Sequence, residues 1–133
     1  KHSALLRNEV ASMHTNESAE NYLETILILS KCRPVVRSVD IANELNFKKS
    51  SVSVGMKKLR ENGHITVTPE GFIYLTKTGL NLAEKIYERH LMLSSWLEQL
   101  GVSPETASAD ACRIEHIISS ESFEAIKKYL RSK

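Results

Sequence analysis

The chain predicts a mainly α-helical protein, an N-terminal winged helix-turn-helix followed by an all-helical domain that pairs with a second copy of itself. Three features carry this expectation. Two short helical patterns, 38–45 and 50–60, are separated by only four residues. Two segments of alternating apolar and polar character, 65–68 and 72–76, follow around the turn Pro69-Glu70-Gly71. Beyond residue 79 apolar residues recur only at helical spacing, and the helices predicted over 103–118 and 121–131 have more apolar surface than so short a chain can cover by itself, so a homodimer is expected.

Residues 1–14 show no clear period, and Met13 is a candidate internal start, so this stretch reads as a mobile or accessory extension. From Ser18 the pattern changes. Ser18 and Asn21 form a capping-box-like pair, and Tyr22, Leu23, Ile26, Leu27 and Leu29 recur at helical spacing. A first helix is predicted over about 18–31, ended by Pro34. Ser38 is the natural cap of the next helix, with Val39, Ile41, Ala42 and Leu45 turned inward. After the turn Asn46-Phe47-Lys48-Lys49 a second helix is capped by Ser50, buried through Val52, Met56 and Leu59, and stopped by Asn62-Gly63.

The two helices across a tight turn form a helix-turn-helix, whose second helix enters the DNA major groove. The alternating segments behind it form the wing, tipped by Glu70, which suits packing and positioning better than attraction to phosphate. Net charge supports the assignment. The chain as a whole is only +2, but residues 33–78 hold eight Lys or Arg against four acids. Ser50, Ser51 and Ser53 are candidates to meet bases or phosphates, while Arg37, Lys48, Lys49, Lys57 and Lys58 are candidates to neutralise backbone charge on double-stranded DNA. The competing reading is a helical hairpin with a solvated basic face.

The longest periodic segment, 79–100, places Leu82, Ala83, Ile86, Tyr87, Leu91, Leu97 and Leu100 on one stripe and ends at Gly101. His90 falls in phase with that stripe, where a histidine is either a satisfied core residue or a ligand. Ser103-Pro104 starts a helix running to about Ile118, with Ala107, Ala111, Ile114 and Ile118 apolar and Cys112, Glu115 and His116 on an adjacent polar stripe. The last three stand at i, i+3 and i+4, so a thiol, a carboxylate and an imidazole share one face. All three groups bind metals. Asn21 and Glu24 repeat the three-residue spacing on the first helix, where a solvated polar edge is the plainer account. A final helix, about Glu121–Arg131, is expected to bury Phe123, Ile126, Tyr129 and Leu130.

With 41% hydrophobic and 26% charged residues the composition is that of a soluble protein with a real core. No apolar run reaches the roughly 18 residues of a membrane span, and no secretory signal pattern is present, so the chain reads as cytoplasmic with no membrane partner. Cys32 and Cys112 offer no disulfide framework. There is no His-Glu-x-x-His, nucleophile motif or glycine-rich phosphate loop, so neither an enzyme nor an organic small-molecule substrate is expected.

Ser18 to Glu24, the winged helix-turn-helix, Tyr87-Glu88-Arg89-His90 and Ala111-Cys112-Arg113-Ile114-Glu115-His116 occur in an order and at lengths that resemble the metal-dependent repressors of the diphtheria toxin repressor and manganese transport regulator family. The resemblance covers about residues 15–131. It implies a winged helix-turn-helix over 15–78, a helical metal-binding and dimerisation domain over 79–133, and a dimer that binds palindromic operators when loaded with a divalent metal and represses metal-uptake genes. It also implies that His90, Glu115 and His116 occupy ligand positions shared across the family. Glu24 matches a ligand of the manganese branch and Cys112 the cysteine of the iron branch. Asn21 stands where the manganese branch has aspartate and the iron branch methionine, following neither. Ser94 and Ser108 replace the carboxylate and histidine of the iron branch's ancillary site, which is therefore expected to be missing.

A set of thiolate, carboxylate and imidazole donors favours Fe(II), Zn(II) or Co(II) over the harder Mn(II); Fe(II) is the first choice, Mn(II) the second, with Zn(II) and Co(II) as surrogates. Because the candidate ligands come from three remote segments, a metal joining them would tie the first helix to the dimerisation helices and act as a corepressor. The alternatives are a metal-independent winged-helix protein with a structural zinc, and a metallohydrolase.

Overall fold

A computed structural model of the chain describes the backbone of residues 2–132 and the side chains of residues 17–132. The elements run α1 (His2–Cys32), α2 (Ser38–Leu45), α3 (Lys49–Glu61), β1 (Ile65–Val67), β2 (Ile73–Leu75), α4 (Lys77–Gln99), α5 (Pro104–Ile117) and α6 (Ser120–Arg131). They divide into two compact units, one covering residues 14–84 and the other containing residues 85–132. The predicted extension over residues 1–14 falls where side chains lie outside the described residues.

The first helix begins upstream of Ser18, so the Ser18–Asn21 pair lies within α1 and does not cap it. The sequence holds no Gly or Pro before Pro34 to interrupt it. In the first unit, Tyr22, Leu23, Ile26, Leu27, Leu29, Ile41, Val52, Met56 and Leu59 are buried. The caps of the two short helices sit one or two residues before the predicted serines. Arg37 caps α2, and its backbone N–H donates to the Asp40 carboxylate at 2.9 Å. Lys48 caps α3 without a side-chain hydrogen bond. The carboxylate at the third helical position of α2 thus reaches back to the amide of the capping residue itself. Val39, expected inside, is exposed because the buried face of α2 narrows to Ile41 and Ala42. Asn46 ends α2 in the left-handed region, φ 57°, which asparagine tolerates better than most residues.

The wing is a two-stranded antiparallel hairpin, shorter than predicted, with Ile65 opposite Leu75 and Val67 opposite Ile73. Thr68 N donates to Phe72 O at 2.9 Å, and Gly71 takes φ 88° in the turn. The base of the hairpin is fastened to the segment before α2, since Ile73 N donates to Val36 O at 2.8 Å and the Arg37 guanidinium lies 4.7 Å from the Phe72 ring centroid. At the tip, hydrogen bonds from its own backbone amide and from Thr68 hold the Glu70 carboxyl below the ordinary glutamate range.

Two glycines set how closely elements approach in this unit. A Cβ on Gly55 of α3 would fall 2.3 Å from the Tyr22 ring, which itself packs edge-on against Phe47. A Cβ on Gly79 would fall 1.9 Å from the His64 carbonyl oxygen. Gly79 lies in the first turn of α4, which Thr76 caps: its hydroxyl accepts from Gly79 N at 3.2 Å and donates to Gly63 O at 2.7 Å.

In the second unit α4 buries Ile86 and Leu93, with Tyr87 and Leu97 half-buried, while Leu91 and Leu100 are exposed against expectation. On the part of α4 in the first unit, Ala83 is buried and Leu82 is exposed. On α6 Phe123 is buried, Ile126 and Leu130 are half-buried, and Tyr129 is 57% exposed. These apolar stripes are wider than the packed faces of the helices. Leu91, Leu100, Ile117 and Tyr129 are the surplus apolar surface of this unit.

Gly79→Ala is expected to lower the thermal midpoint of the full chain more than Gly55→Ala, even though alanine is favoured over glycine in a helix by about 1 kcal/mol. The Gly79 neighbour is backbone, which cannot turn aside as an aromatic ring can, and overpacking of this kind costs roughly 1–3 kcal/mol or more. Calorimetry of the two variants decides it, and the reverse order would contradict the close approach at His64.

Candidate metal centre and nucleic-acid interface

Helix α5 starts where Ser103 and Pro104 require, with the Ser103 hydroxyl accepting from Thr106 N at 3.4 Å. Its buried residues are Ala107, Ala111 and Glu115, spaced four apart. The sequence placed Glu115 on a polar stripe beside the apolar one. In the structure it continues the apolar stripe, and its side chain has no exposure at all. A carboxylate withdrawn from water is costly unless cations or donors surround it.

Imidazoles approach it from two sides. Glu115 Oε2 lies 3.1 Å from His90 Nδ1, a hydrogen bond between α5 and α4. Glu115 Oε1 lies 3.3 Å from His116 Nε2, close but outside hydrogen-bond geometry, so among the described residues Oε1 has no hydrogen-bond partner. The half-buried Cys112 completes the face, and one ligand atom each from Cys112, Glu115 and His116 lie within 4.8 Å of one another. Bonds of about 2.0–2.3 Å from such donors to a first-row ion place two donors at most about 4.6 Å apart. Thiol, carboxylate and imidazole at these separations fit a divalent transition metal with small adjustments. His90 reaches the group through Glu115.

Arg89, which no ligand pattern in the sequence singles out, holds this face. Its guanidinium donates to the carbonyls of Glu115 and Ile118 and to the Ser120 hydroxyl, each at 3.2 Å, and lies 5.3 Å from the Phe123 ring centroid. It thereby satisfies carbonyls at the end of α5 that have no helical partner, and fixes α5 against α4 and α6. The only signal in the sequence was its place beside His90.

The remaining metal candidates lie on α1, in the other unit. Glu24 is buried there, with 6% exposure, beside the buried Leu23 and Thr25. Asn21 is half-buried, and its backbone carbonyl accepts from the Thr25 hydroxyl at 2.7 Å.

The predicted DNA-contacting residues gather on the outer face of α3 and the turn before it. Lys48, Lys49, Ser50, Ser51, Ser53, Lys57 and Lys58 are all exposed, opposite the buried Val52, Met56 and Leu59. Arg37 is exposed but committed to the wing through Phe72. Val54, absent from the predicted set, lies on the same outer face with 56% exposure.

Comparison with known proteins decides between the readings. Residues 14–71 match the iron dependent repressor N-terminal DNA binding domain, and residues 76–132 match the iron dependent repressor metal binding and dimerisation domain. The chain belongs to the iron-dependent repressor family. It is 36% identical to an uncharacterised HTH-type transcriptional regulator of Methanocaldococcus jannaschii, over 86% of this chain and 94% of that protein. It is 34% identical to the transcriptional regulator MntR of Escherichia coli, over 91% of this chain and 78% of the relative. Among solved structures it resembles the manganese regulator SloR, with a TM-score of 0.76 and 26% identity, over 86% of this chain and 54% of that one, so it spans about half the length of that repressor.

As a member of this iron-dependent repressor family the chain is a metal-dependent, DNA-binding transcriptional repressor and not an enzyme, with a divalent metal as cofactor and a homodimeric assembly. The metallohydrolase and structural-zinc alternatives fall with that assignment. Among the described residues no helix is long and apolar enough to cross a membrane.

Adding a divalent metal is expected to raise the thermal midpoint, since saturation at about 100 times the dissociation constant stabilises a fold by about 2.7 kcal/mol. Glu115→Gln should abolish most of that rise, and a full metal-induced shift in the variant would remove Glu115 from the centre. On DNA, Lys57→Ala and Lys58→Ala should each reduce the slope of log affinity against log salt by about 1 with little change in sequence preference. Fluorescence anisotropy across a salt series measures both, and an unchanged slope would place these lysines off the backbone.

Proposed function

We propose that this repressor senses Fe(II) through Glu24, His90, Cys112, Glu115 and His116, and in response binds a palindromic operator controlling metal-uptake genes in the cytoplasm. One observation carries it: Glu115 is a wholly buried carboxylate set between two imidazoles, with a thiol on the same helix face. Residues 15–78 form the DNA-reading domain and residues 79–133 the sensing and dimerisation domain.

A bound ion would supply positive charge to the Glu115 carboxylate and the Cys112 sulfur, and donors from α1, α4 and α5 would hold it. Each protein group has a distinct part. Glu115 provides a preplaced carboxylate, oriented by His90 and anchored from behind by Arg89. His116 and Cys112 add neutral nitrogen and soft sulfur. Glu24 contributes the donor belonging to the DNA-reading unit, and Asn21 stands beside it as a neutral donor. Joining these segments favours dimers whose α3 helices suit successive major grooves about 34 Å apart. Operator affinity rises by a population shift, and operator DNA tightens metal binding by the same factor.

The choice of metal rests on Cys112. The structural relative SloR is a manganese regulator, and a hard carboxylate suits Mn(II). A thiolate shifts the preference toward Fe(II), leaving Mn(II) second.

Anaerobic binding to an operator, with Fe(II), Mn(II) and Zn(II) compared at one salt concentration, tests the proposal. Fe(II) should activate at the lowest free concentration, and Cys112→Glu should move the advantage to Mn(II). Wild-type protein that responds better to Mn(II), with Cys112→Glu unaltered, would overturn the metal assignment. Unchanged metal dependence in both Glu115→Gln and His116→Ala would locate the switch elsewhere.

A further inference from the structure

The outer face of α3 carries one residue that its chemistry does not explain. Ser50, Ser51, Ser53, Lys57 and Lys58 are polar and exposed, as a face turned to water or phosphate should be. Val54 stands among them, 56% exposed, with Ser50 and Ser51 four and three residues before it and Lys57 and Lys58 three and four after. Those spacings place all four as its neighbours on the helix surface. A β-branched residue there gains nothing in helix propensity over alanine and leaves apolar surface in water.

Its surroundings identify the occupant. Two lysines on the same face, with Lys48 and Lys49 at the start of the helix, make the patch cationic, which suits a polyanion and repels an apolar protein partner of like charge. The major groove of DNA combines a phosphate rim with one apolar group, the C5-methyl of thymine. We propose that Val54 is a base-reading residue that packs on a thymine methyl in each operator half-site. The serines and lysines around it bond to phosphates and base edges, so the contact adds sequence selectivity to an otherwise electrostatic interface. The inference rests on α3 being the DNA-reading helix, which the family assignment supports.

The test uses the Mn(II)-loaded homodimer of this chain and a randomised DNA pool. Selection should enrich a two-fold symmetric site with an invariant thymine in each half. Replacing that thymine by deoxyuridine removes only the methyl group. Wild-type affinity should fall about fourfold per half-site and about fifteenfold for both, the value of one methyl-sized group buried at each contact. Val54→Ala should keep its thermal midpoint and its affinity for unrelated DNA, lose a similar factor on the thymine site, and not distinguish thymine from deoxyuridine.

Wild-type protein indifferent to deoxyuridine at every enriched thymine would overturn the proposal. So would Val54→Ala retaining the wild-type discrimination. A pool that enriches no site, together with an unaltered salt slope in Lys57→Ala, would instead remove α3 as the DNA reader, and the Val54 proposal with it.

Discussion

A carboxylate that water cannot reach has to be balanced from within, and Glu115 is such a group at the centre of the helical unit. Its position at the end of a small-residue face, after Ala107 and Ala111, puts it where an alkyl side chain would ordinarily complete the packing. What surrounds it is His90 on one oxygen and His116 on the other. Replacing a buried polar pair with well-packed hydrophobic residues often costs little stability, so burial of this carboxylate is weak evidence of a stabilising role. Glu115 lies within the stretch, residues 76–132, that matches the family's metal binding and dimerisation domain.

The surrounding structure serves that site by fixing it from behind. Arg89 joins the end of α5 to the start of α6 and to its own helix, so the carboxylate and imidazoles are held on elements that cannot drift independently. The Lys127–Glu88 ion pair adds a second link between α6 and α4. The DNA-reading unit is held by different means. Gly55 lets α3 approach the Tyr22 ring, and Gly79 lets α4 begin against the His64 carbonyl, so rigidity there comes from close contact instead of buried charge. One unit contains the buried Glu115 carboxylate between two imidazoles, and the other the close helix contacts at Gly55 and Gly79.

Much of this was legible in the sequence because it depended on local rules. The helix-turn-helix follows from the spacing of Ile41, Ala42, Val52, Met56 and Leu59, the wing from alternation about Pro69-Glu70-Gly71, and the start of α5 from Ser103-Pro104. The grouping of Cys112, Glu115 and His116 follows from helical periodicity, and the clustering of lysines and serines on α3 from the same arithmetic.

Tertiary structure decided what local rules leave open. Spacing could place Glu115 on a face but not reveal that the face is wholly buried, since burial depends on α4 arriving with His90. The cap of α2 lies at Arg37, whose amide donates to the Asp40 carboxylate, and that of α3 at Lys48, which makes no side-chain capping bond. Leu82, Leu91 and Tyr129 are exposed because one helix can cover only part of a neighbour's apolar stripe. Arg89 had no motif to announce it, since its partners are carbonyls that only folding brings within reach. Periodicity along one helix sets which side chains travel together; which of them lose contact with water is settled by the elements that pack on top.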